Sequence, residues 1–191
     1  MRPTFLVVDD FYDDPDAVRA RALALPYSRP SGVNYPGLTA MTPDPIEPIM
    51  RTFSRLLGDI DITCRRDEGA FRITTAADMD TRTSLVHVDT PDFSAIIHLS
   101  EGPGEGTHFY RHRKLGIERV SEEDNARAEV RALIEADTLD QSAWEPVHTI
   151  PMKYNRLVIF DGKYFHSGAR RLTGSDLTSG RLTQNFFFFR V

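Results

Sequence analysis

Arg181-Leu-Thr-Gln-Asn-Phe-Phe-Phe-Phe189, near the end of the chain, constrains the fold more than any other stretch. In an extended strand alternate side chains share a face, so Arg181, Thr183 and Asn185 point one way and Phe186 and Phe188 the other. The phenylalanines ask for a dry core. The polar trio asks for a wet or liganded interior, because buried polar groups without partners are costly. A final core strand of this kind belongs to a sheet that is packed on one side and encloses a lumen on the other.

The rest of the chain supplies strands for such a sheet. Ser84–Asp89 reads as a strand ending at Thr90-Pro91-Asp92, and Phe93–Leu99 as the next. Glu101-Gly-Pro-Gly-Glu-Gly106 reads as a turn, and Thr107–Tyr110 starts another strand. Asn155–Phe160 is an apolar strand, turned by Asp161-Gly162 into Lys163–His166, which Ser167-Gly168 ends. Upstream, Phe5–Val8 predicts a first strand, and Asp14-Pro15 opens a helix to about Leu25 with Val18, Ala22 and Leu25 on one face. A loop over 26–42 precedes a second helix from about Pro45 to Leu57, stopped by Gly58, and 64–75 holds a strand carrying Phe71 and Ile73. Ser121-Glu-Glu-Asp124 has the cap and first-turn acids of a helix running to about Ala136. That helix separates two strand regions, so 115–145 is expected to be an insertion over the barrel mouth or flank. Strands with many turns and helices outside one sheet predict a mainly β, α+β fold: a double-stranded β-helix, or cupin-like jelly roll.

His87-Val-Asp89 and the distant His166 fall at strand ends, where a barrel mouth brings residues together. Two imidazoles and one carboxylate can hold a divalent iron on one triangular face and leave the other face open. With six histidines and 28 acids, a His-x-acid is expected by chance. The strand-and-turn context is what gives this one weight. Arg181, on the last strand, can grip a carboxylate with two parallel hydrogen bonds.

The segments HVDTPDFSAIIHLSEGPGEGTHF, YNRLVIFDGKYFHSGA and RLTQNFFFF resemble the Fe(II)- and 2-oxoglutarate-dependent dioxygenases, in particular their prolyl-4-hydroxylase-like branch. The resemblance spans about residues 70–190 and is looser before that. It implies that His87, Asp89 and His166 hold Fe(II), that Arg181 anchors the 2-oxoglutarate co-substrate, and that O2 is the oxidant. His98 stands where this branch often has a tyrosine touching 2-oxoglutarate. Thr183 and Asn185 share the strand face of Arg181 and complete the expected co-substrate wall. The implied reaction hydroxylates an unactivated C–H bond and releases succinate and CO2. Halogenating relatives replace the carboxylate with a small residue, so Asp89 favours hydroxylation, or a related desaturation or cyclisation.

At 191 residues the chain is expected to be one domain, with supporting elements over 1–69 and the β-helix core over 70–190. A net charge of −5 argues against a nucleic-acid-coating surface. Cys64 is the only cysteine, so no intramolecular disulfide forms, and it is expected to be inert core. The first apolar stretch is too short for a secretory segment and no run is long enough to span a membrane, which predicts a soluble, reducing, cytoplasmic setting. The expected partner is a small-molecule or amino-acid substrate, with a peptide side chain second.

Other residues have ordinary readings. The basic run His108 to Lys114 is expected to be a solvated loop, with attraction of an acidic substrate as the minority reading. Trp144 is read as packing, His148 has no evident partner, and Arg170 and Arg171 are fallback anchors for Arg181. Ser31–Gly37 is a candidate substrate-covering loop. Two rival functions keep the fold: a cupin-like iron enzyme that needs no 2-oxoglutarate, and a non-catalytic ligand-binding module.

Overall fold

A computed structural model of the chain describes residues 5–30, 36–65, 68–79, 86–102, 104–169, 171–172 and 174–191. In chain order the elements are β1 (Phe5–Val8), α1 (Pro15–Leu23), β2 (Leu38–Ala40), α2 (Glu47–Leu56), β3 (Ile62–Cys64), β4 (Ala70–Thr74) and α3 (Ala76–Met79). There follow β5 (Phe93–His98), β6 (Gly104–His112), α4 (Glu122–Ala126), α5 (Ala128–Asp137), β7 (Trp144–Met152), β8 (Arg156–Asp161), β9 (His166–Ser167) and β10 (Arg181–Arg190).

Two antiparallel sheets face each other as a double-stranded β-helix. The larger runs β1-β8-β5-β10-β4-β2, with β3 pairing the far end of β10. The smaller runs β7-β6-β9, and His87 bridges to His166 beyond it. Period-two alternation sorts the larger sheet's residues between two environments. Phe71, Ile73, Ala95, Ile97, Leu157, Ile159, Leu182, Phe186 and Phe188 pack outward against Ala22 of α1 and Phe53 of α2. Val158 and Phe160 turn inward and meet Phe109 and Ile150 of the smaller sheet. The lumen therefore lies between the sheets, and Arg181, Thr183 and Asn185 face it, in register with Thr74, Arg72 and Ala70 of β4.

Helix α1 begins where Asp14 accepts a hydrogen bond from the Ala17 amide. Helix α2 ends before Gly58, whose φ of +91° suits a residue without a Cβ. The 26–42 stretch is not all loop, since β2 lies within it and pairs with β4. The candidate covering segment falls mostly on 31–35, outside the described residues.

Three further readings are corrected. The strand after the glycine-rich turn begins at Gly104 rather than Thr107, because the glycines themselves lie against β7. A Cβ at Gly106 would stand 1.9 Å from the Ile150 carbonyl oxygen. The single helix over 121–136 breaks at Arg127, which is extended (ψ 110°), so α4 and α5 are separate. Ser121 and Asp124 form a full capping box on α4, yet α4 buries no residue. The apolar stripe starts only at Val130. The basic run is not a loop either. Residues 108–112 belong to β6, and only Arg113 and Lys114 of the run are exposed.

The segment between β6 and β7 packs on the outer flank of the smaller sheet. Val120, Ile134 and Trp144 meet Tyr110, Phe165 and Val86 there, in a second core separate from the lumen. His112 anchors it: fully buried, it pairs with Asp137 at 3.0 Å. Trp144 packs edge-on to that imidazole, and His148 stacks on Phe5 at 5.2 Å. Among the described residues no helix is long and apolar enough to cross a membrane.

Candidate metal centre

His87, Asp89 and His166 converge at the lumen. One ligand atom from each lies within 4.8 Å of the other two. The fold brings them together through backbone pairing. His87 N–H donates to the His166 carbonyl (3.0 Å), and His166 N–H returns a bond to the His87 carbonyl (2.9 Å). Asp89 N–H donates to the Gly162 carbonyl at 2.7 Å. His87 thus meets the edge of the smaller sheet through an isolated bridge to His166, and the imidazole rings stand 4.4 Å apart.

The side chains around the trio orient it. His166 Nδ1 lies 2.8 Å from the Tyr164 carbonyl. A carbonyl only accepts, so Nδ1 donates there and Nε2 is the ring nitrogen turned toward the centre. That Nε2 lies 3.2 Å from Asp89 Oδ2, and His87 Nε2 lies 3.7 Å from Oδ1. Ser94, on the lumen face of β5, donates to Asp89 Oδ2 at 2.5 Å. Lys163 Nζ bonds the Asp89 carbonyl at 3.0 Å and also the Thr90 carbonyl. Burial alone would push the Asp89 carboxyl up, but His166, then His87 and Ser94, outweigh it and hold it well below the usual carboxylate range. A deprotonated carboxylate and two imidazoles gathered on one side of a point suit a divalent first-row metal. The His87 side chain is 38 % exposed, against 6 % for His166, so the open side is next to His87.

Deeper in the lumen, Arg181 opens β10 opposite Thr74, and His98 pairs with Thr183. His98 is fully buried, and neither ring nitrogen has a hydrogen-bond partner among the described residues. Burial, and after it the charges of Arg181 and Arg156, push its pKa well below the usual imidazole value. Thr183 donates to Asn185 Oδ1 at 2.8 Å, which leaves the Asn185 amide as a donor. Of the fallback anchors, Arg171 is exposed and Arg170 lies outside the described residues.

The sequence reading passed over four residues of this region. Ser94 shares a β5 face with His98, so alternation from His98 could have found it. Gly162 is held glycine by a close approach: a Cβ there would stand 2.6 Å from the Pro91 carbonyl oxygen and 3.1 Å from Asp89 Cβ. Thr107, fully buried opposite Ile150, keeps a hydroxyl without a partner among the described residues. Arg72 faces the lumen beside Thr183. No local signal marks the last two.

The profile of a family described as "Family of unknown function (DUF6445)" matches residues 2–188. Comparison with curated proteins gave no match. Among solved structures, the chain is similar to HygX from Streptomyces hygroscopicus with nickel and 2-oxoglutarate bound (TM-score 0.59, 13 % identity, 100 % of this chain and 84 % of that one). HygX is also known with hygromycin B bound. An oxidoreductase of the 2OG-Fe(II) oxygenase family from Burkholderia pseudomallei aligns with TM-score 0.55 and 14 % identity, over 98 % of this chain and 85 % of the other. AviO1 from Streptomyces viridochromogenes Tue57 aligns with TM-score 0.57 and 15 % identity, over 98 % and 90 %. At these identities the likeness establishes a shared fold.

Proposed function

The chain belongs to DUF6445, a family of unknown function, and from the geometry of its centre we propose that it is an Fe(II)- and 2-oxoglutarate-dependent oxygenase that hydroxylates a small molecule or amino acid. The observation that carries this reading is the convergence of His87, Asp89 and His166 within 4.8 Å at a lumen whose far wall carries Arg181. The shared fold with HygX, bound in its own structures to nickel, 2-oxoglutarate and hygromycin B, supports both the cofactors and a small-molecule substrate.

In this reading His87, Asp89 and His166 hold the metal, and Ser94 and the Tyr164 carbonyl fix the orientation of two of those ligands. Arg181 takes the far carboxylate of 2-oxoglutarate with a bidentate pair of bonds. His98 offers a neutral ring beside that guanidinium, and Thr183 and Asn185 complete the wall. Fe(II) with 2-oxoglutarate and O2 supplies the oxidative decarboxylation that yields succinate and CO2 and drives attack on an unactivated C–H bond. The chain's own part is to orient the substrate carbon at the open side next to His87 and to keep other groups away from it. The order of motifs along the chain supports the prolyl-4-hydroxylase-like branch as the finer placement.

The test is an anaerobic titration of Fe(II) and 2-oxoglutarate into metal-free protein, with His87→Ala as control. A weak visible charge-transfer band that needs both components and is lost in the variant is expected. Iron binding without the band would favour a 2-oxoglutarate-independent iron enzyme. No iron binding would favour a ligand-binding module.

A further inference from the structure

Lys163 precedes the metal ligand His166 by one short turn of chain, and its side chain reaches back to the segment that carries Asp89. Its ammonium donates to the Asp89 carbonyl at 3.0 Å and also to the Thr90 carbonyl. Among the described residues no carboxylate pairs with it, so this half-buried cation is held by two consecutive backbone oxygens. A tetrahedral ammonium carries three donors and can serve two carbonyls at once, which a single amide N–H does less well. Bonds from a cation to a carbonyl oxygen are also stronger than those between neutral groups.

The root of that side chain is itself fixed. Lys163 N–H donates to Asp161 Oδ1 at 2.8 Å, and the Lys163 carbonyl accepts the Val120 amide proton at 3.0 Å. Arg119 Nε holds Asp161 Oδ2 at 2.7 Å. From this base three successive residues address the metal centre. The Gly162 carbonyl takes the Asp89 amide proton, Lys163 takes the Asp89 carbonyl, and the Tyr164 carbonyl takes His166 Nδ1.

The consequence for Asp89 is geometric. Peptide units are planar, so the two units flanking a Cα together fix the direction of its side chain. The unit before Asp89 is held through its N–H, 2.7 Å from the Gly162 carbonyl. The unit after it is held through its carbonyl by Lys163. With only the first unit held, rotation about the Asp89 N–Cα bond would swing the carboxylate. Ser94 then holds the far end of the same side chain.

We infer that Lys163 is a positioning residue for the metal: by holding the peptide unit after Asp89 it aims the carboxylate at the point where His87 and His166 converge. The inference rests on the reading of these three residues as metal ligands. It assigns Lys163 no contact with metal, co-substrate or substrate. It gives the lysine a role in binding metal that is separate from any role in keeping the chain folded.

The test titrates Co(II) into the metal-free full chain, because the visible spectrum of bound Co(II) reports the geometry of its ligands. Urea unfolding of the metal-free protein is measured beside it. Lys163→Met is expected to weaken Co(II) binding by about fivefold or more and to alter the visible spectrum. Lys163→Arg, which keeps a cation with several donors, is expected to recover part of both. A lysine that only stabilises the turn would lower the urea midpoint and leave affinity and spectrum of the folded variant as in wild type. The inference is therefore overturned if folded Lys163→Met loses less than about fivefold in affinity or keeps the wild-type spectrum. Should Lys163→Met fail to fold, Lys163→Gln is judged by the same two limits. Failure of wild type to bind Co(II) at all would instead overturn the metal-ligand reading on which the inference rests.

Discussion

The Ser94 hydroxyl donates to Asp89 Oδ2 across 2.5 Å, from a strand of the larger sheet to a ligand two residues past the His87 bridge to His166. This bond ties the Asp89 segment to the wall of the larger sheet at the metal centre. It fixes which carboxylate oxygen is engaged and leaves Oδ1 toward His87, 3.7 Å away. Partners of metal ligands commonly contribute 10- to 100-fold to metal affinity. Ser94→Ala is therefore expected to weaken Fe(II) binding about tenfold while the metal-free protein keeps its fold. Anaerobic metal titration checks this, with circular dichroism of the apoprotein beside it. Unchanged affinity would mean that the two histidines alone position Asp89.

Gly162 controls the same carboxylate from the other side. Its carbonyl receives the Asp89 amide proton, and its own amide donates to the Asp92 carbonyl at 2.9 Å. A Cβ there would approach the Pro91 carbonyl oxygen to 2.6 Å, a backbone atom that cannot swing aside as a side chain can. Gly162→Ala must shift the Pro91 turn, and Asp89 with it. It is expected to reduce Fe(II) affinity more than Ser94→Ala does, and to lower stability by about 1–3 kcal/mol. A variant with wild-type stability and metal affinity would show that the turn relaxes freely.

Alternation along single strands made much of this legible from sequence. Arg181, Thr183 and Asn185 face the lumen while Phe186 and Phe188 enter the outer core, because period two is a local property that needs no knowledge of neighbours. What failed depended on a layer that no local pattern announces. His112 sits in a run of basic residues and looks solvated, yet it is fully buried because α5 and Trp144 cover the outside of the smaller sheet. Strand β9 is only two residues long, too short to show alternation, although it carries His166. Arg72 gave no signal because its strand was recognised only by Phe71 and Ile73, the residues on its other face.

His112 holds this second layer to the sheet. The Leu115 amide donates to Nδ1 at 3.2 Å, so the proton sits on Nε2 and is donated to Asp137 Oδ2 at 3.0 Å. Trp144 Nε1 donates to the carbonyl of the same Asp137 at 2.8 Å, so the end of α5 is gripped at two points. His112→Leu fills the space but strands the Leu115 amide and the carboxylate. It is expected to cost about 2 kcal/mol, measured by urea unfolding. Fe(II) affinity should change less than threefold, because this layer lies on the flank. A large loss of metal affinity with intact stability would mean that the flank and the centre are coupled.

His98 makes the stability of the metal-free protein depend on pH. Its ring is fully buried, and burial first, then Arg181 and Arg156, keep it neutral in the fold well below the usual imidazole range. The unfolded chain gives residue 98 an ordinary histidine pKa of about 6.5. Above that value neither state binds the proton, and His98 adds no pH dependence. As pH falls through about 6.5 the unfolded state takes up a proton that the fold refuses. Stability then declines toward the one-proton limit of about 1.4 kcal/mol per pH unit. His98→Leu removes this part while other titrating groups remain in both proteins. The stability difference between wild type and variant, from urea unfolding at pH 5 to 8, should therefore be flat above pH 7. Below pH 6.5 it should shift steadily against the wild type. Parallel curves over the whole range would mean that His98 takes its proton in the fold. The lumen would then hold a second positive charge beside Arg181, and the neutral ring assigned to the co-substrate wall would have to be given up.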